Sequence, residues 1–417
     1  MKINKLELDN FRAFENACLK LDGKSAVLFG VNGTGKSSVL KSINLLYANI
    51  INQIVNRKEL KQSYVLGLED IRFGKPQVSI SAEFQLDGAG INYSRAMTRS
   101  NGQRTHNLKS LKQITEAFQG RYLSDEIQDN MPIFVNYGTN RLVLDIPLRI
   151  RTHHEFDIYS AFEKAIENRI DFRTFFEWFR NQEDDENARK VESRNLKYVD
   201  RSLLAVRNAA LAMLEGCTNL RVSRNPRLEM KVDKNGMGLN VGQLSDGEKC
   251  TMALFGDLAR RLAIANPKME NPLLGEGVVL IDEVELHMHP SWQRSVLRKL
   301  EETFPNVQFI ITTHSPIVLS EVDDGFKVFV LTSNGKTNAV TERTRMDGFD
   351  ANYILEEFMN TKSMNVNTEH LIDSIYEDVY AKKYSDAEEK IQQLVLLVGE
   401  NNKDVIEARM LIRKGRV

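Results

Sequence analysis

Several stretches of the chain are apolar without a break: Ala26-Val27-Leu28-Phe29, Ile133-Phe134-Val135, Val278-Val279-Leu280-Ile281 and Phe309-Ile310-Ile311. Short unbroken runs of this kind predict strands covered on both faces, as in a parallel sheet. Elsewhere the pattern alternates. Leu6 and Leu8 alternate with Lys5 and Glu7, and Ala17, Leu19 and Leu21 with Cys18 and Lys20. Val78, Ile80, Ala82, Phe84 and Leu86 alternate with polar residues up to a turn at 87–90, and Ile91 and Tyr93 start the return. These predict half-buried antiparallel strands. Leu228, Met230 and Val232 lead to an Asn235-Gly236 turn and predict a further hairpin.

Helical spacing appears at Val39, Leu40, Ile43, Leu46, Tyr47 and Ile50, with a polar helical connection to about residue 70. Between 152 and 215 one stripe runs Phe156, Tyr159, Phe162, Ile166, Ile170 and another Leu203, Leu204, Val206, Leu211, separated by the acidic run 183–186. This predicts a helical insertion, too short and without the heptads of a long coiled coil. Leu254, Leu258 and Leu262 mark another helix, and 371–380 and 387–397 two more. The chain is thus expected to divide into 1–151, an insertion 152–215, 216–340 and a helical extension 341–417.

At 417 residues, 42% hydrophobic and 27% charged, the chain can bury a large core. A net charge of −1 argues against a surface coated uniformly for nucleic acid, but not against a local basic face. Arg95, Arg99, Arg104, Lys109 and Lys112, with no acid among them, predict a solvated surface or a phosphate-backbone contact. Cys18, Cys217 and Cys250 are spaced for neither disulfides nor zinc, and read as buried thiols in a reducing compartment. No apolar run reaches membrane-spanning length and no signal-peptide profile opens the chain, so a cytoplasmic protein is expected.

Chemistry concentrates where the apolar runs end. After Ala26–Phe29 comes Gly30-Val31-Asn32-Gly33-Thr34-Gly35-Lys36-Ser37-Ser38, which fits G-x-x-x-x-G-K-[ST] between a strand and a helix. In such a loop the glycines let backbone N–H groups face phosphate oxygens, and the helix start adds its dipole. Asn32, Gly33, Thr34, Gly35, Lys36, Ser37 and Ser38 are the expected nucleotide contacts, with Lys36 on the β- and γ-phosphates and Ser37 on Mg²⁺. Val278–Ile281 ends in Asp282-Glu283: Asp282 suits the Walker B role on Mg²⁺, and Glu283 the activation of the attacking water. The strand through Thr312-Thr313 ends at His314, positioned to bond a γ-phosphate oxygen. His287, His289 and His314 could supply three imidazoles to zinc, but the 287/289 pair diverges if extended. Leu244-Ser245-Asp246-Gly247-Glu248-Lys249 opens a helix, either as an anion site or as a plain capping box of Ser245 with Glu248.

Taken in order, the P-loop, Leu244–Lys249, Val278–Glu283 and Thr312-Thr313-His314-Ser315-Pro316 resemble the motifs of ABC-type ATPases. Leu8-Asp9-Asn10-Phe11-Arg12 resembles the opening of their SMC/RecF/OLD branch. Glu285–Gln293 resembles the stretch after Walker B in defence-associated ATPases of that branch, and the pattern from Gly348 to Leu397 resembles the C-terminal helices of Septu-type, PtuA-like anti-phage ATPases. The resemblance spans about residues 1–335 and more loosely the rest. It implies an α/β fold: an ABC-type P-loop ATPase lobe with a mixed sheet and an antiparallel β subdomain. A helical insertion and a helical C-terminal extension would complete it. It also implies that Arg12 contacts nucleotide, and that Ser245 and Gly247 complete the ATP site of a second protomer in a homodimer or higher oligomer. Position 246 is aspartate where the family signature more often has glycine. Gln77 and residues 137–141 are the candidates for a Q-loop.

No Toprim or His-Asn-His arrangement is visible. The expected function is therefore a slowly ATP-hydrolysing regulatory or sensor subunit of a phage-defence complex. It would act with a separate HNH-type nuclease, and nucleic acid remains a possible ligand. The C-terminal residues Leu371, Ile375, Ile391, Leu394 and Leu397 would dock the nuclease or pack on their own unit. The alternative is a RecF-type repair ATPase that clamps DNA as an ATP-dependent dimer. A transporter's nucleotide-binding subunit is disfavoured by Asn10-Phe11-Arg12.

Overall fold

The computed structural model describes residues 1–55, 64–123, 131–141, 156–343, 346, 348–359 and 365–415. The chain divides into two compact units, Met1–Asp350 and Ala351–Val417. Strands of the first unit are β1 (Lys2–Asp9), β2 (Asn16–Lys20), β3 (Ser25–Phe29), β4 (Gln77–Leu86), β5 (Ala89–Thr98), β6 (Arg104–His106) and β7 (Ile133–Tyr137). They continue with β8 (Cys217–Ser223), β9 (Glu229–Lys234), β10 (Met237–Asn240), β11 (Gly277–Ile281), β12 (Val307–Thr313), β13 (Phe326–Ser333) and β14 (Asn338–Arg343). Its helices are α1 (Lys36–Ile54), α2 (Leu108–Leu123), α3 (Phe172–Glu192), α4 (Arg201–Leu211), α5 (Asp246–Ala265), α6 (Pro290–Gln293), α7 (Val296–Thr303) and α8 (Pro316–Ser320).

The apolar runs form one sheet, in the order β14-β13-β3-β12-β11-β7. All its pairings are parallel except β13 with β14. Every residue of β3, β7, β11 and β12 is buried, which is why these strands carry no polar alternation. Their register sets Phe29 beside Thr313, and Ile281 beside both Ile311 and Tyr137. The loops that follow β3, β7, β11 and β12 therefore leave the sheet at one edge.

The alternating segments build a second, antiparallel sheet ordered β2-β1-β4-β5-β6, and the later hairpin joins a third, β10-β9-β8. Helix α1 links the first two. Its Tyr47 ring stacks on Phe134 at 3.8 Å and meets Phe84 edge-on at 5.4 Å.

The insertion departs from its predicted form. Phe156 to Ile170 is not an α-helix: Ile158–Phe162 is a 3₁₀ turn, and Lys164 and Asn168 take positive φ of 54° and 61°. Left-handed residues at these two points break the turn before a helix can extend. α3 and α4 do form. The acidic run is part of α3, and its Glu183 and Glu186, one helical turn apart, are buried and clamped together by Arg207. The boundary expected at 151/152, like the connection through 56–63, lies outside the described residues.

Most of the basic stretch is a solvated face, with Arg99, Arg104, Lys109 and Lys112 exposed, but its arginines also bond backbone oxygens. Arg95 is buried and donates to the Leu45 carbonyl, Arg99 Nε donates to Lys75 O at 3.0 Å, and Arg104 Nε to Leu66 O at 2.7 Å. Each guanidinium donates to main-chain oxygens, that of Leu45 in α1 and those of Lys75 and Leu66 outside the strands. Cys217 and Cys250 are buried, whereas Cys18 is exposed, contrary to expectation. Among the described residues no helix is long and apolar enough to cross a membrane.

The chain stays in the sheet through Arg343, and the second unit begins at Ala351 with α9 (Ala351–Met359), α10 (Val366–Tyr380), α11 (Tyr384–Val398) and α12 (Lys403–Gly415). Ile375, Ile391 and Leu394 are buried with Val405, Ala408 and Ile412 in that unit's own core. Of the apolar residues weighed for docking a partner, these three are internal packing; Leu397 is exposed.

Candidate nucleotide site

The loop between β3 and α1 owes its shape to its glycines. Gly30, Gly33 and Gly35 have φ of 154°, 82° and 96°. At Gly35 a Cβ would come within 2.6 Å of the Phe14 ring, and at Gly30 within 2.3 Å of the Leu331 carbonyl oxygen. Thr34 Oγ1 donates back to Val31 O at 2.8 Å, and Asn338 Nδ2 from β14 donates to Gly33 O at 3.2 Å. α1 starts after Gly35 with no side-chain cap, and Asn32 and Gly33 are exposed. Lys36 is buried, its Nζ donating to Gly30 O at 2.7 Å and Val31 O at 3.0 Å. Burial lowers its pKa to about 8, against the pull of Asp282, Glu283 and Glu285.

The facing wall comes from β11 and β12. Ser37 Oγ donates to Asp282 Oδ1 at 3.2 Å, and Thr312 Oγ1 donates to the same oxygen at 2.5 Å. Thr312 Oγ1 also accepts the Glu283 N–H at 2.8 Å. Glu283 itself has φ of 50°, a left-handed backbone that glutamate rarely adopts. His314 Nε2 lies 3.9 Å from Glu283 Oε1, while the His314 backbone N–H donates to Glu285 Oε1 at 2.6 Å. Burial, with Lys36 nearby, lowers the His314 pKa despite the three carboxylates, so the ring is neutral at neutral pH. The structure thus gathers Lys36, Ser37, Asp282, Glu283 and His314 at one sheet edge.

Arg12 stands beside the first turn of α1. Its Nε donates to Asp70 Oδ1 at 2.9 Å, and its Nη1 lies 3.5 Å from Ser38 Oγ. Asp70 is fully buried and also receives Lys41 Nζ at 2.8 Å. Burial opposes its ionisation, but Lys41, the Gly67 N–H and Arg12 outweigh that and hold its pKa down.

Ser245 and Gly247 sit apart from these groups, at the start of α5. Ser245 and Glu248 form a complete capping box: Ser245 N–H and Oγ donate to Glu248 Oε2 at 2.9 and 2.8 Å, and Ser245 Oγ accepts the Glu248 N–H at 3.3 Å. A Cβ on Gly247 would fall 2.3 Å from His287 O, so the turn needs glycine for close packing. His289 caps α6, with Nδ1 2.8 Å from Ser291 Oγ. Among the described residues no group of three or more His, Cys, Asp or Glu is arranged around a metal position.

Of the Q-loop candidates, Gln77 is the exposed first residue of β4. Arg141 is buried, and its guanidinium donates to the Glu283 carbonyl. Sequence reasoning passed over Asp70, Thr312 and Glu285. The polar Thr312-Thr313 pair closing an apolar strand was a usable signal; Asp70 offered none.

This lobe, with a P-loop and paired acids at the carboxyl edge of a mixed sheet, is that of an SMC/RecF-like P-loop ATPase. The chain belongs to the family described as "AAA domain, putative AbiEii toxin, Type IV TA system", whose model matches residues 48–320; a second AAA-domain model matches 1–61. It is 28% identical to "Retron Ec83 probable ATPase" of Escherichia coli, over 99% of this chain and 87% of that protein. It is 26% identical to "Septu protein PtuA" of Bacillus mycoides (strain KBAB4), over 87% of this chain and 43% of that protein. The crystal structure of an SMC head bound to the C-winged helix domain of ScpA matches with a TM-score of 0.50 at 16% identity, covering 82% of this chain and 98% of that one. At that identity the likeness concerns the fold alone.

Proposed function

We propose that this ATPase is the regulatory or sensor subunit of an anti-phage defence complex, acting through a separate HNH-type nuclease. The observation that carries its chemistry is the bond from Ser37 to Asp282, which joins the P-loop to the β11 edge. The donor set suits a magnesium nucleotide: glycines whose Cβ positions would close the loop, a buried lysine, and a serine beside a carboxylate. Bound there, Mg²⁺ would neutralise charge on the β- and γ-phosphates. Asn32 to Ser38, with Arg12, hold the phosphates. Ser37 and Asp282 are the metal-side oxygens. Glu283 accepts the proton of the attacking water, and neutral His314 bonds the phosphoryl oxygen from the β12 side.

Ser245 and Gly247 act in trans, on nucleotide held by a second copy, so ATP favours a homodimer or higher oligomer. The SMC-head fold and the retron and Septu relatives support this reading.

The test uses the purified full chain. With Mg²⁺ it hydrolyses ATP, and with Mg²⁺ or Mn²⁺ it leaves plasmid, linear and single-stranded DNA uncut. Glu283→Gln keeps ATP and loses about 100-fold or more in hydrolysis, the range for removing a general base. Metal-dependent DNA cleavage by the chain alone, abolished by a substitution within it, would show that the effector lies in this polypeptide.

A further inference from the structure

The peptide that carries Glu283 is held by one side chain from β12 and another from the segment after β7. Its N–H donates to Thr312 Oγ1 at 2.8 Å, and its carbonyl oxygen accepts from the Arg141 guanidinium and from Leu286 N–H at 3.0 Å. Between these bonds the residue keeps its left-handed φ of 50°. Without them a glutamate relaxes to extended or right-handed backbone, and its carboxylate swings with it.

Arg141 is placed at some cost. It is 3% exposed, has no ion-pair partner among the described residues, and its Nη1 is buried without a hydrogen bond. Burial lowers its pKa, and the carboxylates that oppose this are Glu285, Asp282 and Glu283 of the nucleotide site. Its own carbonyl oxygen accepts from Cys250 Sγ at 3.4 Å, which ties it to the early turns of α5. A buried cation with an unused donor is poor structural material, and where one persists it calls for a functional account.

We propose that Arg141 is a positioning residue for ATP hydrolysis: by gripping the Glu283 carbonyl it fixes the main chain that sets the direction of the Glu283 carboxylate. The proposal rests on Glu283 being the base, and the experiment separates the two. Full-length Arg141→Met, Arg141→Lys, Glu283→Gln and the Arg141→Met/Glu283→Gln double variant are assayed for steady-state hydrolysis and for equilibrium binding of a fluorescent ATP analogue.

Arg141→Met is expected to lower kcat on the order of 10- to 100-fold while the analogue binds within about threefold of wild type. Arg141→Lys recovers part of the rate. In the Glu283→Gln background Arg141→Met adds no further loss, because the two residues act as a unit. Losses that multiply, a kcat within about threefold of wild type, or a fall in affinity that matches the fall in rate would each overturn the proposal. Should Arg141→Met fail to fold, Arg141→Gln replaces it under the same kcat and affinity criteria. Wild-type hydrolysis by Glu283→Gln would instead remove the base assignment itself.

Discussion

α1 and α5 begin in the same lobe at turns rich in glycine and serine, yet their first N–H groups are treated in opposite ways. Before α1 stands Gly35, with no side chain to offer and no cap bond. Before α5, Ser245 and Glu248 bond each other reciprocally, and Lys234 Nζ holds Glu248 from outside at 2.6 Å. The first turn presents unsatisfied donors to a ligand oxygen; the second has already satisfied its own. Two helix starts of similar composition are therefore not equivalent anion sites. One is preorganised, and the other must give up an internal bond before its serine can serve a phosphate.

The largest expected effect tests the open turn. Lys36→Ala should weaken ATP binding on the order of 100-fold, the loss of a charge-assisted contact, measured by calorimetry on the purified chain. Unchanged affinity would mean that the backbone donors suffice. Next comes the closed turn. Gly247→Ala forces a Cβ against His287 O and should cost about 1–3 kcal/mol of stability, read as a lower melting temperature. A neutral result would show that this turn has slack.

The smallest effect is a pH dependence confined to the open turn. Lys36 in the free protein has its pKa lowered to about 8, and an anion on the loop must raise it. Binding then takes up a proton above pH 8, and affinity falls as pH rises through that value, by about tenfold per unit at the limit. Calorimetry in buffers of different ionisation enthalpy reads the proton uptake directly. Lys36→Arg, which does not titrate here, should flatten the profile.

The central sheet and the P-loop were legible because their signals are local: unbroken apolar runs, then glycines and a lysine at fixed spacing. Asp282, Glu283 and His314 could be found because each closes such a run. What escaped depends on distant partners. Arg95 read as surface because nothing near it shows that the Leu45 carbonyl awaits it. Nothing local to Glu183 and Glu186 shows that they are buried, although Arg207 and Arg224 reach across from α4 and from just past β8. The stripe from Phe156 to Ile170 has helical spacing, but its backbone reverses at Lys164 and Asn168, where no glycine or proline marks the break. In the second unit the apolar faces of α10 and α11 were visible, and what covered them was not. α12 supplies that cover through Val405, Ala408 and Ile412.

Asn338 ties Gly33 to the far end of the lobe, and β3 itself is flanked by β12 and β13. Those neighbours are synthesised about 300 residues after the P-loop, so contacts of extreme sequence separation must close before the loop has its shape. At translation rates of roughly 5–20 residues per second the nascent P-loop strand waits on the order of 15–60 s for its partners. Through that interval the sequence Ala26–Phe29 is an unpaired, wholly apolar edge, the kind of segment that chaperones hold and that aggregates when they do not. On this order of synthesis the P-loop takes its shape late, and ATP affinity is expected to appear only once β12 and β13 are in place.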